Sequence, residues 1–139
     1  MIVLDTNVLS EALRPVPSGE VIRWLAAQAH SSVFTTTITM AEILCGVEAL
    51  AAGKRRARLL AAVEKMFAEE FEGRILAFDE DAARLFARIV AFREATGRPI
   101  SQMDGMIAAI ARSNRAAVST RNTADFVHCG IPVVNPWAA

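Results

Sequence analysis

The sequence predicts an α/β fold in three layers, α/β/α, with a central parallel sheet of about five strands. Short apolar runs rich in β-branched residues alternate with longer segments whose apolar residues recur at helical spacing. This alternation is typical of strand–helix–strand units, whose right-handed crossovers place helices on both faces of a parallel sheet. Because 139 residues contain no evident linker or repeat, we expect a single domain over 1–139.

Five segments are predicted as strands. The first is the continuous apolar run Ile2 to Leu4, which suits a strand buried on both faces of a sheet. The other four are 32–35, 74–78, 117–119 and 131–134. Helices are predicted between them, at 8–13, 21–25, 39–53, 54–67, 82–97 and 101–112, with a short turn or helix at 122–126. We expect Gly53 to end the third helix, because glycine suits a helix stop.

Composition limits the class of protein. Lysine plus arginine equals aspartate plus glutamate, 15 each, so the net charge neither favours nor excludes a nucleic-acid partner. Hydrophobic residues make up 53% before glycine is counted, and this surplus suggests surface covered by another subunit or partner. Two isolated cysteines, no ordinary signal peptide and no apolar run of about 20 residues predict a soluble cytoplasmic protein that is not bound to a membrane.

Four acidic residues lie directly after a predicted strand or near the start of the segment that follows it. Taken singly, three of them fit a capping box, in which the third helical residue reaches back to the capping side chain. Taken together, they predict carboxylates that converge at the carboxyl edge of the sheet, where open α/β sheets bind ligands. Both interpretations remain open at this point. The four are Asp5, Glu42 (three after Thr39), Asp104 (three after Ser101) and Asp125 (three after Asn122).

Carboxylates that converge in this way would need a cation, because each raises the pKa of its neighbours unless a positive charge compensates. The ligands are hard oxygens without a Cys or His cluster, which favours Mg²⁺ or Mn²⁺ over zinc. A site of this kind can activate water and hold a phosphodiester for in-line displacement.

Four segments, in this order, resemble a PIN domain and, more narrowly, the VapC or FitB type of toxin ribonuclease. The resemblance covers essentially the whole chain and includes the ending Gly-Ile-Pro-Val-Val-Asn-Pro-Trp. The segments are Val-Leu-Asp-Thr-Asn-Val-Leu-Ser at the start, Met-Ala-Glu-Ile around Glu42, Ser-Gln-Met-Asp-Gly-Met-Ile-Ala around Asp104, and Ser-Thr-Arg-Asn-Thr-Ala-Asp-Phe near the end.

The resemblance implies a Mg²⁺- or Mn²⁺-dependent endoribonuclease that hydrolyses RNA. It also implies a toxin of a type II toxin–antitoxin pair: a homodimer, silenced by a cognate antitoxin in a higher assembly. Asp5, Glu42 and Asp104 match the family's three principal acids. Asp5 and Asp104 would be metal ligands, with Glu42 binding the metal directly or through water. We further expect the antitoxin to place an Arg or Lys among these carboxylates.

Other site residues follow with less support from the motif. Asn122 occupies a position that is acidic in many members of the family, so Asp125 would be the remaining fourth acid. Asn7 and Thr120 match positions that line the pocket through hydrogen bonds. In a separate inference from their sequence positions near the acidic edge, Arg14 and Arg121 are predicted to contact the RNA backbone.

Other enzyme classes fit less well. Phosphatases of the haloacid dehalogenase type need a second aspartate two residues after the first, where this chain has Asn7. A dinucleotide-binding domain needs Gly-x-Gly-x-x-Gly after its first strand, and that motif is absent. A PIN-like module that binds RNA or protein without cleaving remains the alternative.

Overall fold

The computed structural model describes residues 1–139 and shows one parallel five-stranded sheet of order β3-β2-β1-β4-β5. The predicted three-layer α/β/α fold is confirmed. The strands are β1 (Ile2–Leu4), β2 (Val33–Thr36), β3 (Ile75–Leu76), β4 (Ala117–Ser119) and β5 (Val133–Val134). The helices are α1 (Thr6–Ala12), α2 (Gly19–Ala27), α3 (Thr37–Glu48), α4 (Lys54–Lys65), α5 (Glu80–Ala95) and α6 (Gln102–Ser113).

The central strand β1 separates two hydrophobic cores. Val3 packs into the core formed with α5 and α6, whereas the next residue, Leu4, packs into the core formed with α1 to α4. Successive side chains of a strand point to opposite faces, so one apolar run supplies both cores. Both side chains are almost fully buried, as the sequence predicts for a strand covered on both sides.

The sheet order places a topological switch point between β1 and β4. The chain moves outward from β1 through β2 to β3 and then returns to the other side of β1 for β4 and β5. Leu4 is in register with Ser119, and the Asp5 N–H donates to the Ser119 carbonyl at 2.9 Å. The segments that follow β1 and β4 therefore leave the sheet side by side, which is where α/β sheets bind ligands.

Helix α3 starts two residues earlier than predicted, so the capping box proposed for Thr39 and Glu42 is wrong. The cap is Thr36, whose hydroxyl accepts a hydrogen bond from the Thr39 N–H at 3.0 Å. Glu42 is therefore the sixth residue of α3 instead of the third. Because helix-dipole effects fade after the first turn, Glu42 is also too far along α3 to be stabilised by the positive end of that helix.

Helix α3 also ends earlier than predicted, at Glu48, with Ala49 as its cap residue. Gly53 does not stop α3. It precedes α4 instead, and its carbonyl accepts from the Ala57 N–H at 3.1 Å.

After α4, a π-helical turn over Met66–Glu70 brings Met66 and Phe67 into the core. None of the helices is both long and apolar enough to cross a membrane.

Candidate active site at the carboxyl edge of the sheet

Asp5 is the buried centre of the candidate site. It follows β1 directly, is 5% exposed, and caps α1 by accepting the Thr6 N–H at 2.8 Å on Oδ1. Its other oxygen, Oδ2, accepts the Thr120 hydroxyl at 2.7 Å. The same Asp5 carboxylate therefore caps a helix and stands at the switch point of the sheet.

The environment of Asp5 disfavours its charged form. The pKa of this carboxyl is raised from 3.8 to about 6. Burial is the largest cause, and the hydrogen bonds from Thr120 and Thr6 oppose it. The negative charges of Asp104 and Glu42 also raise the pKa of Asp5. The two acids predicted to share a site with Asp5 are thus close enough for their charges to act on it.

Glu42 is tied to Asp5 through the intervening Thr6. The Thr6 hydroxyl donates to Glu42 Oε1 at 2.9 Å, and it lies 3.1 Å from the Thr39 hydroxyl oxygen. The backbone of the same residue binds Asp5. One threonine, at the first position of α1, therefore connects the acid after β1 with the acid inside α3.

Asp104 is the third residue of α6, and the cap predicted for it is present. The Ser101 hydroxyl accepts a hydrogen bond from the Asp104 N–H at 3.2 Å. Burial raises the pKa of the half-buried Asp104 carboxyl, the Ser101 hydrogen bond opposes this, Asp125 raises it and Arg93 lowers it. Electrostatic interactions therefore connect Glu42 with Asp5, Asp5 with Asp104, and Asp104 with Asp125.

The fourth acid lies on a short turn without the predicted cap. Asp125 belongs to a 3-10 turn, Thr123–Phe126, and the preceding Asn122 makes no side-chain capping bond. The capping box proposed for Asn122 and Asp125 is therefore wrong, because the turn is too short to build an α-helical first turn. Both side chains are exposed, and Asp125 is near enough to Asp104 for its charge to be felt.

Thr120 connects the two polar segments that leave the sheet at the switch point. Its fully buried hydroxyl donates to Asp5 and accepts from Asn7 Nδ2 at 3.2 Å and from the Asn122 N–H at 3.1 Å. Asn7 Oδ1 in turn accepts the Arg121 N–H at 3.2 Å. Asn7 and Thr120, predicted as supporting residues, thus hold the loop after β4 against the start of α1.

This network predicts that Thr120→Val destabilises the protein by about 1–3 kcal/mol, because the same-shaped side chain leaves a buried carboxylate and two donors without a partner. The free energy of unfolding in urea measures the effect. Thr120→Ser keeps the hydroxyl and serves as the control, with an expected loss of less than about 1 kcal/mol for the missing methyl group. Equal losses in the two variants would contradict the role given to the hydroxyl.

The two arginines predicted to contact RNA have different surroundings. Arg14 is exposed, pairs with the buried Glu11 at 3.3 Å, and lines a cavity of about 300 Å³ together with Thr6 and Glu42. The Arg121 guanidinium lies 4.9 Å from the centre of the Trp137 ring. A larger cavity of about 650 Å³, lined mostly by apolar residues, includes none of the four acids.

The donor set suits a hard divalent cation, although not through three shared ligands. No three Asp, Glu, His or Cys side chains lie close enough together to hold one ion. Magnesium commonly keeps several waters and takes only one or two protein carboxylates. The pair of Asp5 and Asp104, both with raised pKa values, fits such an ion because a positive charge would stabilise their ionised forms.

Two residues of the site were not identified from the sequence. Thr6 lies between the predicted residues Asp5 and Asn7, and no local sequence pattern indicates its contact with Glu42. Arg93 resembles an exposed charge, yet it is 4% exposed. Its spacing held a signal, since Arg93 lies four residues after Ile89 and so continues the buried stripe of α5.

The family profile described as PIN domain matches residues 2–129. The toxin FitB of Neisseria gonorrhoeae is 41% identical over 137 residues, with 99% of each chain covered. The VapC ribonuclease Y4jK of Sinorhizobium fredii is 39% identical over 137 residues, covering 99% of this chain and 98% of the relative.

Solved structures share the fold. The crystal structure of FitAcB from Neisseria gonorrhoeae superposes with a TM-score of 0.94 at 40% identity, covering 100% of both chains. A member of the VapBC family of toxin–antitoxin systems from Mycobacterium tuberculosis, VapBC-5, superposes with a TM-score of 0.68 at 31% identity, covering 96% of each chain.

Proposed function

This chain belongs to the PIN-domain family, and from that premise we propose that it is an endoribonuclease, dependent on Mg²⁺ or Mn²⁺, that acts as the toxin of a toxin–antitoxin pair. The observation that carries the proposal is the convergence of Asp5, Glu42 and Asp104, coupled through their charges, at the switch point of the sheet. The names of the relatives FitB and VapC, a toxin and a ribonuclease, support it.

In this proposal Asp5 and Asp104 hold the metal ion, and Glu42 reaches it through water, because no three such side chains lie close enough together to hold one ion. When bound, a divalent ion supplies an activated water and neutralises charge on the phosphodiester. The chain's own residues orient the carboxylates. Thr120 and the Thr6 N–H fix the two oxygens of Asp5, and the Thr6 hydroxyl fixes Glu42.

Asp125 and Asn122 complete the acidic edge on the side of β4, and we assign Asp125 to the catalytic set. Both are exposed, so Asp125 can meet water or substrate.

Arg14 and Arg121 flank the acids, and we propose that they bind RNA phosphates, which arginine does well. The exposure of both side chains supports this role.

The proposed partner is a cognate antitoxin, since VapBC-5 belongs to a family of toxin–antitoxin systems. We also propose a homodimer, a higher assembly with the antitoxin, and a cytoplasmic location. The apolar composition supports a shared surface. One continuous sheet from Ile2 to Val134 supports residues 1–139 as a single domain.

The direct test is cleavage of total bacterial RNA by the purified chain. We expect cleavage with Mg²⁺ or Mn²⁺, none with EDTA, and recovery when excess Mg²⁺ is returned. Ca²⁺ prefers more ligands and a looser geometry than Mg²⁺. Replacing Mg²⁺ with Ca²⁺ in the cleavage reaction therefore tests whether the site requires a six-coordinate ion. Retention of RNA on the protein without cleavage under every metal condition would favour the alternative, a PIN-like binding module.

A further inference from the structure

We propose that Arg93 is a positioning residue that fixes the backbone of the turn carrying Asp125 and so places this acid at the carboxyl edge of the sheet. The inference rests on the proposed function, because it gives Asp125 a part in RNA cleavage. Arg93 stands in the last turn of α5 and is buried, with 4% of its surface exposed.

The Arg93 guanidinium donates to backbone carbonyls, apart from one long contact of 3.7 Å between Nη1 and Cys129 Sγ. Its Nε donates to the Arg98 carbonyl at 2.6 Å, while Nη1 donates to the carbonyls of Asp125 at 2.9 Å and Val127 at 2.7 Å. Arg93 takes part in none of the ion pairs of the chain. A buried charge without a carboxylate partner is costly, but no neutral side chain offers as many donors to these three carbonyls.

Few other backbone hydrogen bonds hold the turn that carries Asp125. Outside the regular elements, the only backbone hydrogen bond within 123–129 joins the Asp125 N–H to the Asn122 carbonyl. His128 also adopts a positive φ of 60°, a conformation that only surrounding contacts maintain. The remaining anchors are Phe126 and Cys129, each 1% exposed in the core. Arg93 therefore holds the carbonyls on both sides of Phe126.

The charge of Arg93 also reaches the acidic edge. It lowers the pKa of Asp104, which Asp125 raises. Arginine is suited to this double task, since its planar fork serves several acceptors at once and stays charged when buried. Lysine offers one compact ammonium group and cannot span the Arg98 carbonyl and the two carbonyls of the turn with the same geometry.

A double-mutant cycle tests the proposal, using Arg93→Lys, Asp125→Asn and the two combined. The readout is the first-order rate of cleavage of total bacterial RNA at saturating Mg²⁺. We expect Arg93→Lys to slow cleavage about tenfold in the wild-type background and less than about twofold in the Asp125→Asn background. Arg88→Lys, an exposed arginine on the same helix, is the matched control and should leave the rate unchanged.

Amide hydrogen exchange supplies a readout that is independent of activity. In Arg93→Lys we expect faster exchange across 122–129 and unchanged exchange in the buried part of α6. If Arg93→Lys is too unstable to compare, Arg93→Gln, which keeps an N–H donor, replaces it in the cycle.

Additive effects in the cycle, or unchanged exchange across 122–129, would overturn the proposal. So would full activity of Asp125→Asn, because no acid would then need positioning. If the wild-type chain cleaves no RNA with any metal, the proposed function itself has failed, and the Arg93 proposal falls with it. If Asp5→Asn abolishes cleavage while the cycle is additive, only the Arg93 proposal has failed.

Discussion

Asp5→Asn is expected to lower the rate of RNA cleavage by at least about 10³-fold, since it removes the negative charge at the centre of the site. Stabilisation by a metal ion contributes several kcal/mol to reactions of this kind, and each 1.4 kcal/mol corresponds to about tenfold in rate. Asparagine keeps the shape and an oxygen that accepts the Thr6 N–H, so the cap of α1 survives. The measurement is RNA cleavage at saturating Mg²⁺, with circular dichroism to verify the fold.

Asp79→Asn is the matched control for this loss. Asp79 caps α5 by accepting the Ala82 N–H at 2.9 Å, much as Asp5 caps α1, but it is exposed and does not act on the pKa of Asp5. If the loss of a negative charge at any helix cap caused the effect, both variants would lose activity. Cleavage by Asp5→Asn within about tenfold of the wild-type rate would contradict the central place given to this carboxylate.

The fold was predictable because its signals are local. Ile2 to Leu4 form an uninterrupted apolar run, and polar residues follow at once. A strand buried on both faces and followed by an acid at the edge of the sheet can be inferred from that pattern alone. The same holds for Ser101 and Asp104, where the capping residue and the third helical residue are both unambiguous.

The start of α3 could not be predicted in this way. Four threonines lie among residues 35–39, and any of them can cap a helix. The choice of Thr36 follows from its pairing with Leu76 in β3, which continues the strand up to that residue. A contact with a segment forty residues away therefore decides where the helix begins.

The role of Arg93 was hidden for a similar reason. Its acceptors in the turn, the carbonyls of Asp125 and Val127, lie 32 and 34 residues further along the chain. Periodicity can place Arg93 on the buried stripe of α5, but only the packed structure shows which backbone groups meet it. Contacts of this kind explain why the acids were predictable while the residues that hold them were not.

Without a metal ion, Asp5→Asn should be more stable than the wild-type protein at high pH, with little difference at low pH. The pKa of Asp5 is raised from 3.8 to about 6 in the folded protein, so the folded state binds more protons than the unfolded state between these values. Wild-type stability therefore falls as the pH rises through this range, by up to about 3 kcal/mol above pH 6. Asparagine does not ionise and escapes the penalty.

Urea unfolding in EDTA at pH 4.5 and pH 8 measures this difference. We expect Asp5→Asn to gain about 1–3 kcal/mol over the wild-type protein at pH 8, since the weakened Thr120 hydrogen bond offsets part of the gain. Mg²⁺ at about 1,000 times its Kd should reverse the order at pH 8, because it stabilises the folded state that binds it by about 4.1 kcal/mol. A difference independent of both pH and Mg²⁺ would mean that Asp5 is neither poorly solvated nor near the cation, and the proposed site would lose its centre.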